Sequence, residues 1–355
     1  MFAENRMHEW MSSVWNEDIV YDECILFVPD AVSKEIKPCR LLFEPEMIIS
    51  VHSDYMGIEY SEGQDYLING SIVERLPGSR IPAFDYDEFF RIQPNEYNIR
   101  SASVSGRYVM YDAGGVETIK RQIKVTYKKK NRFPFFPESI LQYLPNTKRK
   151  LLDREDIHIL FYGDSFMEGC DASGKTGIMP YMPTLDRLII YKLADFYDHE
   201  KIRFTNTAVG GTFAEWGLEH IKDKVLNYKP DLVIIRFGMN DGTLGVKPEV
   251  FAIQMLQIIT AIRMDNPKAE CIILMNELPN PDCIGWTKTQ DEFERELNER
   301  IPNGNGIAKI EIMNMFKHVM KVKGFECITS NFVNHPNDFM IRLYAQYVCA
   351  ALGAQ

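Results

Sequence analysis

The stretch that decides the fold is Ile157-His158-Ile159-Leu160-Phe161-Tyr162-Gly163-Asp164-Ser165. Its first six residues are apolar except for His158, and a run of this length and composition predicts a strand buried on both faces. A glycine, an acidic residue and a serine follow at once, so a polar loop leaves the carboxyl end of that strand. The stretch therefore predicts a parallel sheet with chemically active side chains at its carboxyl edge.

The chain after Asp156 continues as an alternation of apolar strands and amphipathic helices. The predicted strands span residues 157–162, 202–205, 232–236, 271–275 and 307–312. The predicted helices span residues 185–197, 213–228, 249–264, 291–300 and 336–351. Such an alternation predicts a flavodoxin-like, three-layer α/β/α arrangement around a five-stranded parallel sheet.

The region before residue 148 has a different pattern. Short apolar runs such as 24–28, 47–51 and 123–127 are separated by turn formers, and Asn69-Gly70 is a favourable hairpin turn. This pattern predicts an all-β sandwich of the jelly-roll type. A charged stretch with few large apolar residues lies between the two patterns, so we predict an N-terminal domain of residues 1–148 and a second domain of residues 149–355.

The composition limits the classes of partner. The 355 residues are 45% hydrophobic and carry a formal net charge of -10, which disfavours nonspecific binding to nucleic acid or to an anionic membrane. The first 18 residues contain no apolar signal-peptide core, and the seven cysteines form no CxxC pair. These features favour a cytoplasmic protein with reduced thiols, and they leave the oligomeric state open.

Four polar blocks stand at the ends of predicted strands or before the last predicted helix. They are Gly163-Asp164-Ser165, Gly210-Gly211, Gly238-Met239-Asn240-Asp241 and Asn334-His335-Pro336. The serine block is not the GxSxG turn of α/β-hydrolases, because Met167 stands where the second glycine would be. Since the carboxyl ends of parallel strands share one edge of the sheet, we expect the blocks to meet there.

A G-D-S block, a glycine block, G-x-N-D and a late histidine, in this order, resemble the SGNH (GDSL-like) hydrolases over about residues 157–352. The resemblance implies Ser165 as the nucleophile and His335 as its general base, because a serine hydroxyl needs a base to take its proton. It also implies an oxyanion hole made of the backbone N–H groups of Ser165 and Gly211 and the side-chain amide of Asn240.

One position departs from that family pattern. An aspartate usually precedes the histidine by three residues, but that position here is Phe332, and residues 330–335 contain no carboxylate. We therefore predict a Ser–His dyad in which a backbone carbonyl, Asn331 or Asn334 accepts the imidazole Nδ1 proton. In this respect, and in its predicted β-sandwich, the chain resembles two-domain carbohydrate acetyl esterases.

The favoured hypothesis is a serine esterase that removes an acetyl group from a carbohydrate or similar polyol through an acyl-enzyme on Ser165. Two alternatives stay open: a lipase or thioesterase acting on longer acyl chains, and a non-catalytic glycan-binding protein. No metal site and no cofactor are expected, because the histidines show no ligand spacing. Tyr181, Trp216 and Trp286 are candidates either for packing against a sugar ring or for the core.

Overall fold

The computed structural model of the protein describes residues 6–94, 106–283, 285, 286 and 288–355. In chain order the strands are β1 (Ile19–Ile25), β2 (Cys39–Arg40), β3 (Pro45–Ser53), β4 (Ile58–Glu59), β5 (Tyr66–Asn69), β6 (Ile72–Arg75), β7 (Phe90–Arg91), β8 (Tyr108–Val109), β9 (Ile123–Lys129), β10 (Ile157–Gly163), β11 (Ile202–Asn206), β12 (Leu232–Arg236), β13 (Glu270–Leu274) and β14 (Ile307–Ile310).

The helices alternate with these strands in the second half of the chain. They are α1 (Met7–Trp10), α2 (Tyr86–Phe89), α3 (Val116–Arg121), α4 (Pro145–Leu152), α5 (Ser165–Glu168), α6 (Ser173–Thr176), α7 (Leu185–Tyr197), α8 (Ala214–Glu219), α9 (Ile221–Lys224), α10 (Met239–Leu244), α11 (Pro248–Asp265), α12 (Gln290–Arg300), α13 (Met313–Lys323) and α14 (Asp338–Ala351). Short 3-10 helices lie at Ala113–Gly115, Leu141–Tyr143, Leu226–Tyr228 and Phe325–Cys327.

The central sheet has the spatial order β11-β10-β12-β13-β14, and every neighbouring pair is parallel. The first strand of this sheet thus lies between the second and the third, which is the flavodoxin-like order. The predicted α/β class is confirmed. In such a sheet the crevice for a ligand opens where the strand order reverses, here between the carboxyl ends of β10 and β12.

Alternate residues of β10 supply two cores, one on each face of the sheet. Ile157, Ile159 and Phe161 belong to one buried hydrophobic cluster, and Leu160 and Tyr162 belong to the other. The pairs α7 with α14 and α11 with α12 pack over the sheet. Because both faces are covered, the strand is apolar along its length rather than alternating, as its sequence indicates.

At the carboxyl ends of β10 and β12 the two backbones come very close. A Cβ atom placed on Gly163 would lie 2.0 Å from the carbonyl oxygen of Arg236, its partner in the sheet. Only glycine fits at this point. The glycine of the first polar block therefore has a packing role and brings the following serine loop directly beside β12.

The N-terminal region is rich in antiparallel strands, as predicted. One sheet has the order β1-β9-β3-β4, a second has the order β2-β6-β5, and β7 pairs with β8. The predicted Asn69-Gly70 turn joins β5 to β6, where Asn69 pairs with Ile72. The last strand of the region, β9, lies between β1 and β3 in the four-stranded sheet.

Two local predictions differ from the structure. The helix predicted over residues 213–228 is divided into α8, α9 and a 3-10 turn, because His220 leaves helical geometry and its ring stacks on Trp216 at 4.3 Å. Helix α13 was not predicted, although its buried residues Met313, Phe316 and Val319 follow helical spacing.

The N-terminal region packs closely on the half of the chain that contains the parallel sheet. One continuous hydrophobic cluster contains Trp10 from the first half and Tyr344 from α14. In the same interface the Arg342 guanidinium donates to the carbonyl oxygens of Tyr21 and Asp22 at 2.9 and 2.7 Å. The domain boundary after residue 148 stays a prediction.

None of the helices in the described ranges is both long enough and apolar enough to span a bilayer.

A buried ion pair joins the two halves and gives a test of their packing. Lys323 at the end of α13 contacts Glu23 of β1, and neither side chain has any exposed surface. Glu23 also accepts hydrogen bonds from the Leu42 N–H at 2.8 Å and the Tyr127 hydroxyl at 2.6 Å. We expect Lys323→Met to lower the free energy of unfolding by about 3–5 kcal/mol, because it leaves a buried carboxylate without its cation.

The double variant Lys323→Met/Glu23→Gln is expected to lose less stability than the sum of the two single variants, as measured by urea unfolding. Losses that simply add would show that the two groups do not depend on each other.

Candidate active site

Ser165 is the first residue of α5, directly after the carboxyl end of β10. The preceding Asp164 caps this helix, since its Oδ1 atom accepts the Phe166 N–H at 3.1 Å. Beneath the cap lies the fully buried Arg236, which donates to Asp164 Oδ1 at 2.7 Å and to Glu277 Oε2 at 2.8 Å. The serine is therefore held by a charged network that links the ends of three neighbouring strands.

His335 reaches Ser165 from the loop that precedes α14. Its Nε2 atom lies 2.9 Å from Ser165 Oγ, so the two residues predicted from the sequence are within hydrogen-bond distance. Ser165 is buried, and the His335 side chain is 15% exposed. With the proton on Nδ1, Nε2 is the free acceptor for the serine hydroxyl.

The partner of the imidazole Nδ1 differs from the prediction. The Oδ2 atom of Asp171 lies 2.7 Å from His335 Nδ1. The partner of Nδ1 is therefore a carboxylate, and not a backbone carbonyl or an asparagine. The Ser–His dyad is thus corrected to a Ser–His–Asp arrangement. Asp171 comes from the loop after α5, only six residues beyond the serine and 164 residues before the histidine.

The local conformation explains how Asp171 reaches the site. Its φ angle is 64°, in the left-handed region that aspartate tolerates better than most residues. The turn follows Gly169, which also has a positive φ. Just after this loop, the Ser173 N–H at the start of α6 donates to Asp338 Oδ1 at 3.0 Å, which ties the end of the loop to the start of α14. A sequence search limited to the residues near His335 could not find this carboxylate.

The two asparagines predicted as alternatives have another role. Asn331 Oδ1 accepts the backbone N–H groups of Val333 and Asn334 at 2.9 and 3.0 Å and that of His335 at 3.2 Å. Its amide nitrogen donates to Asn334 Oδ1 at 3.2 Å. These side chains shape the histidine loop from within, so neither accepts from the imidazole.

Phe332, at the position of the usual family aspartate, points away from the imidazole. It is fully buried, has a φ of 66°, and packs edge-on against Phe84 and Phe89 at centroid distances of 5.9 and 5.1 Å. Both of these rings belong to the N-terminal region. The position that would supply the acid therefore anchors the histidine loop in an aromatic cluster instead.

The N-terminal region also contacts the carboxylate side of the site. Ser330 Oγ lies 3.1 Å from Asp171 Oδ2. A Cβ atom placed on Gly115 would lie 3.0 Å from Ser330 Cβ and 3.4 Å from Asp171 Cβ. Residue 115 thus packs against both of these side chains, and glycine gives the room that they need.

The predicted oxyanion residues Gly211 and Asn240 lie in two segments, the loop after β11 and the start of α10, which a hydrogen bond joins. A Cβ atom placed on Gly210 would be 3.6 Å from Ser165 Cβ, which puts the glycine block against the serine. Gly211 has a φ of 77° and open space on its Cβ side, and Asn240 Nδ2 donates to the Thr212 carbonyl at 2.8 Å. The Asn240 side-chain nitrogen carries a second N–H that this bond does not use. The roles of these groups as oxyanion donors stay predictions.

A second buried carboxyl group underlies the site. Burial, reinforced by the charge of Asp164, raises the pKa of Asp241 to about 7. The Asp241 Oδ1 atom accepts the Ala214 N–H at 2.9 Å, at the start of α8. With a pKa near neutrality, Asp241 carries only part of a negative charge around pH 7, next to Asn240.

The three aromatic candidates have different surroundings. Trp216 stacks on His220 and lies 6.4 Å from the Tyr162 ring, so it belongs to the packing of α8 on the sheet. The indole nitrogen of Trp286 is buried. Tyr181 is 47% exposed and borders an open groove beside the site, so it is the most exposed of the three.

The chain matches the family model of the GDSL-like lipase/acylhydrolase family over residues 161–338. No curated protein is similar enough in sequence to count as a match.

Three solved structures illustrate the likeness in fold. The first is a putative GDSL-like lipase from Parabacteroides merdae, with 18% identity over 56% of this chain and 97% of that one and a TM-score of 0.47. The second is an acetylxylan esterase from Geobacillus stearothermophilus, with 18% identity, coverages of 53% and 91%, and a TM-score of 0.41. The third is a two-domain esterase active on acetylated mannans, with 19% identity, coverages of 61% and 55%, and a TM-score of 0.47.

The family match takes in the end of the strand before the serine, the serine itself, the glycine and asparagine blocks and the histidine, and it spans half of the chain. This protein therefore belongs to the GDSL-like lipase/acylhydrolase family and is a carboxylic ester hydrolase.

Proposed function

We propose that the protein is a serine esterase that acts through a Ser165–His335–Asp171 triad. The observation that carries the proposal is the continuous chain of contacts from Ser165 Oγ to His335 Nε2, 2.9 Å, and from His335 Nδ1 to Asp171 Oδ2, 2.7 Å. In this mechanism His335 takes the proton of Ser165 as Oγ attacks the ester carbonyl carbon, and Asp171 stabilises the imidazolium that forms.

The rest of the cycle follows from the same groups. The tetrahedral intermediate carries an oxyanion, which the N–H groups of Ser165 and Gly211 and the amide of Asn240 would hold. As the ester bond breaks, His335 returns its proton to the departing alkoxide, and the acyl group stays on Ser165. Water then attacks the acyl carbon while His335 takes one of its protons. As the bond to Oγ breaks, His335 returns that proton to Ser165, which releases the carboxylic acid and the free serine.

The surroundings of the site favour a polar alcohol as the leaving group. An open groove of about 640 Å³ begins at Glu168, the last residue of α5, and its lining includes Lys175, Tyr181 and Arg187. Charged side chains and one exposed aromatic ring suit a carbohydrate or similar polyol, so we propose that the enzyme removes acetyl groups from such a substrate.

Acyl-chain selectivity and dependence on Ser165 test the reaction. We expect the wild type to hydrolyse p-nitrophenyl acetate and to release acetate from acetylated oligosaccharides, with kcat/KM for the octanoyl ester below that for the acetyl ester. Ser165→Ala is expected to lower kcat by about 10³-fold or more. Equal rates for the two proteins would contradict the esterase proposal, and a preference for octanoate would favour the lipase alternative.

Replacement of the third residue tests the triad. Asp171→Asn is expected to lower kcat by about 10²–10⁴-fold with little change in KM, because an amide cannot stabilise the imidazolium. Asp198→Asn, which removes a surface carboxylate paired with Arg154, is the control and should keep wild-type kinetics. If Asp171→Asn keeps more than half of the wild-type kcat, the dyad hypothesis is restored.

Two adjacent glycines test whether the N-terminal region supports the triad. Gly114 and Gly115 both have positive φ, so alanine strains the backbone at either position. Only at 115 would the new methyl group press on Ser330 and Asp171. Gly115→Ala is therefore expected to lower kcat by about tenfold, since small displacements of catalytic groups are costly.

Gly114→Ala is the matched control and is expected to stay within about twofold of the wild-type kcat. Steady-state kinetics of both variants, beside thermal melting curves, give the comparison. Equal kcat values for the two variants would show that the contact has no influence on the site.

A further inference from the structure

A carboxylate that the mechanism does not use lies next to the glycine block. Glu168, the last residue of α5, accepts the Gly210 N–H on Oε2 at 2.6 Å. Its other oxygen, Oε1, accepts from Lys175 Nζ at 2.6 Å, and Lys175 also donates to the Glu168 carbonyl at 3.2 Å. One side chain thus links the serine helix, the glycine block and a lysine that borders the open groove.

Hydrogen bonds hold residues 209–212, called the oxyanion segment below, on both sides of Gly211. The Val209 N–H donates to the Gly163 carbonyl at 3.0 Å, and the Thr212 hydroxyl donates to the Val209 carbonyl at 2.7 Å. In the part of the chain that the structure describes, no protein group accepts the Gly211 N–H. With its neighbour Gly210 bound to Glu168, the Gly211 N–H is the donor left over for a ligand oxygen.

The negative charge of Glu168 must be offset if it lies beside the glycine block. Partial burial by itself would raise the pKa of Glu168, but the hydrogen bonds from Lys175 and Gly210 outweigh it and hold that pKa below its usual value. The group is therefore ionised at neutral pH. A negative charge beside a forming oxyanion opposes the reaction, and the ammonium group of Lys175 offsets it.

We propose that Glu168 is the positioning residue of the oxyanion segment, with Lys175 as the cation that neutralises it. The hydrogen bond from Gly210 fixes the peptide that precedes Gly211, and the ion pair with Lys175 removes the electrostatic penalty of placing a carboxylate there. This proposal rests on the proposed role of Gly211 as an oxyanion donor.

Three variants separate the hydrogen bond from the charge. Glu168→Ala removes both and is expected to lower kcat on p-nitrophenyl acetate by about 10–100-fold, with KM changed by less than about threefold. Glu168→Gln keeps an acceptor oxygen for Gly210 and removes the charge, so its kcat should equal or exceed that of the wild type. Lys175→Met leaves the carboxylate unneutralised and is expected to lower kcat by about three- to tenfold.

A control and a second measurement complete the test. Lys229→Met breaks a surface ion pair with Asp265. This pair lies at the amino ends of β12 and β13, away from the carboxyl ends where Ser165 lies, so kcat is expected to stay unchanged. Hydrogen exchange measures the loop directly: the Gly210 amide should exchange faster in Glu168→Ala and at the wild-type rate in Glu168→Gln. This readout does not depend on turnover, so it tests the contact even if the wild type proves inactive on esters.

The proposal is overturned if Glu168→Ala keeps a kcat within twofold of the wild type, or if Glu168→Gln loses as much activity as Glu168→Ala. Equal losses would assign Glu168 to general stability of the fold, which thermal melting of the two variants would then also show.

Discussion

The guanidinium of Arg236 is the interaction on which the geometry of the site depends. It is fully buried at the end of β12 and binds carboxylates that follow two neighbouring strands, Asp164 after β10 and Glu277 after β13. Its Cζ atom also lies 3.8 Å from the centre of the ring of Phe166, a residue of α5. Because a buried charge needs its partners, this network fixes the ends of three strands relative to one another and so fixes Ser165.

Much of the fold and part of the site could be predicted from local sequence. The three central parallel strands β10, β12 and β13 are mostly apolar and buried along their length. Strand 232–236 and helix 185–197 have the bounds that their patterns indicate. Ser165 and His335 follow from motif order, and the structure places them 2.9 Å apart. Asp171 could not be predicted, because its contact with His335 spans 164 residues and depends on a left-handed turn that no local pattern identifies.

The N-terminal region is more than an appended module in this arrangement. Its aromatic residues hold Phe332, its Gly115 packs on Ser330 and Asp171, and the Gln122 side chain donates to the Thr329 carbonyl at 3.2 Å. These contacts involve both the loop that carries His335 and the loop that carries Asp171. The two loops come from distant parts of the sequence, and the N-terminal region gives them a common support.

The burial of Phe332 has a consequence for how the protein unfolds locally. The residue lies in the loop that carries His335, but its ring packs in a cluster with Phe84 and Phe89 of the N-terminal region. Opening of that cluster would therefore release the histidine loop at the same time. The loop and the aromatic cluster form one cooperative unit, so hydrogen exchange in the two should be governed by the same opening free energy.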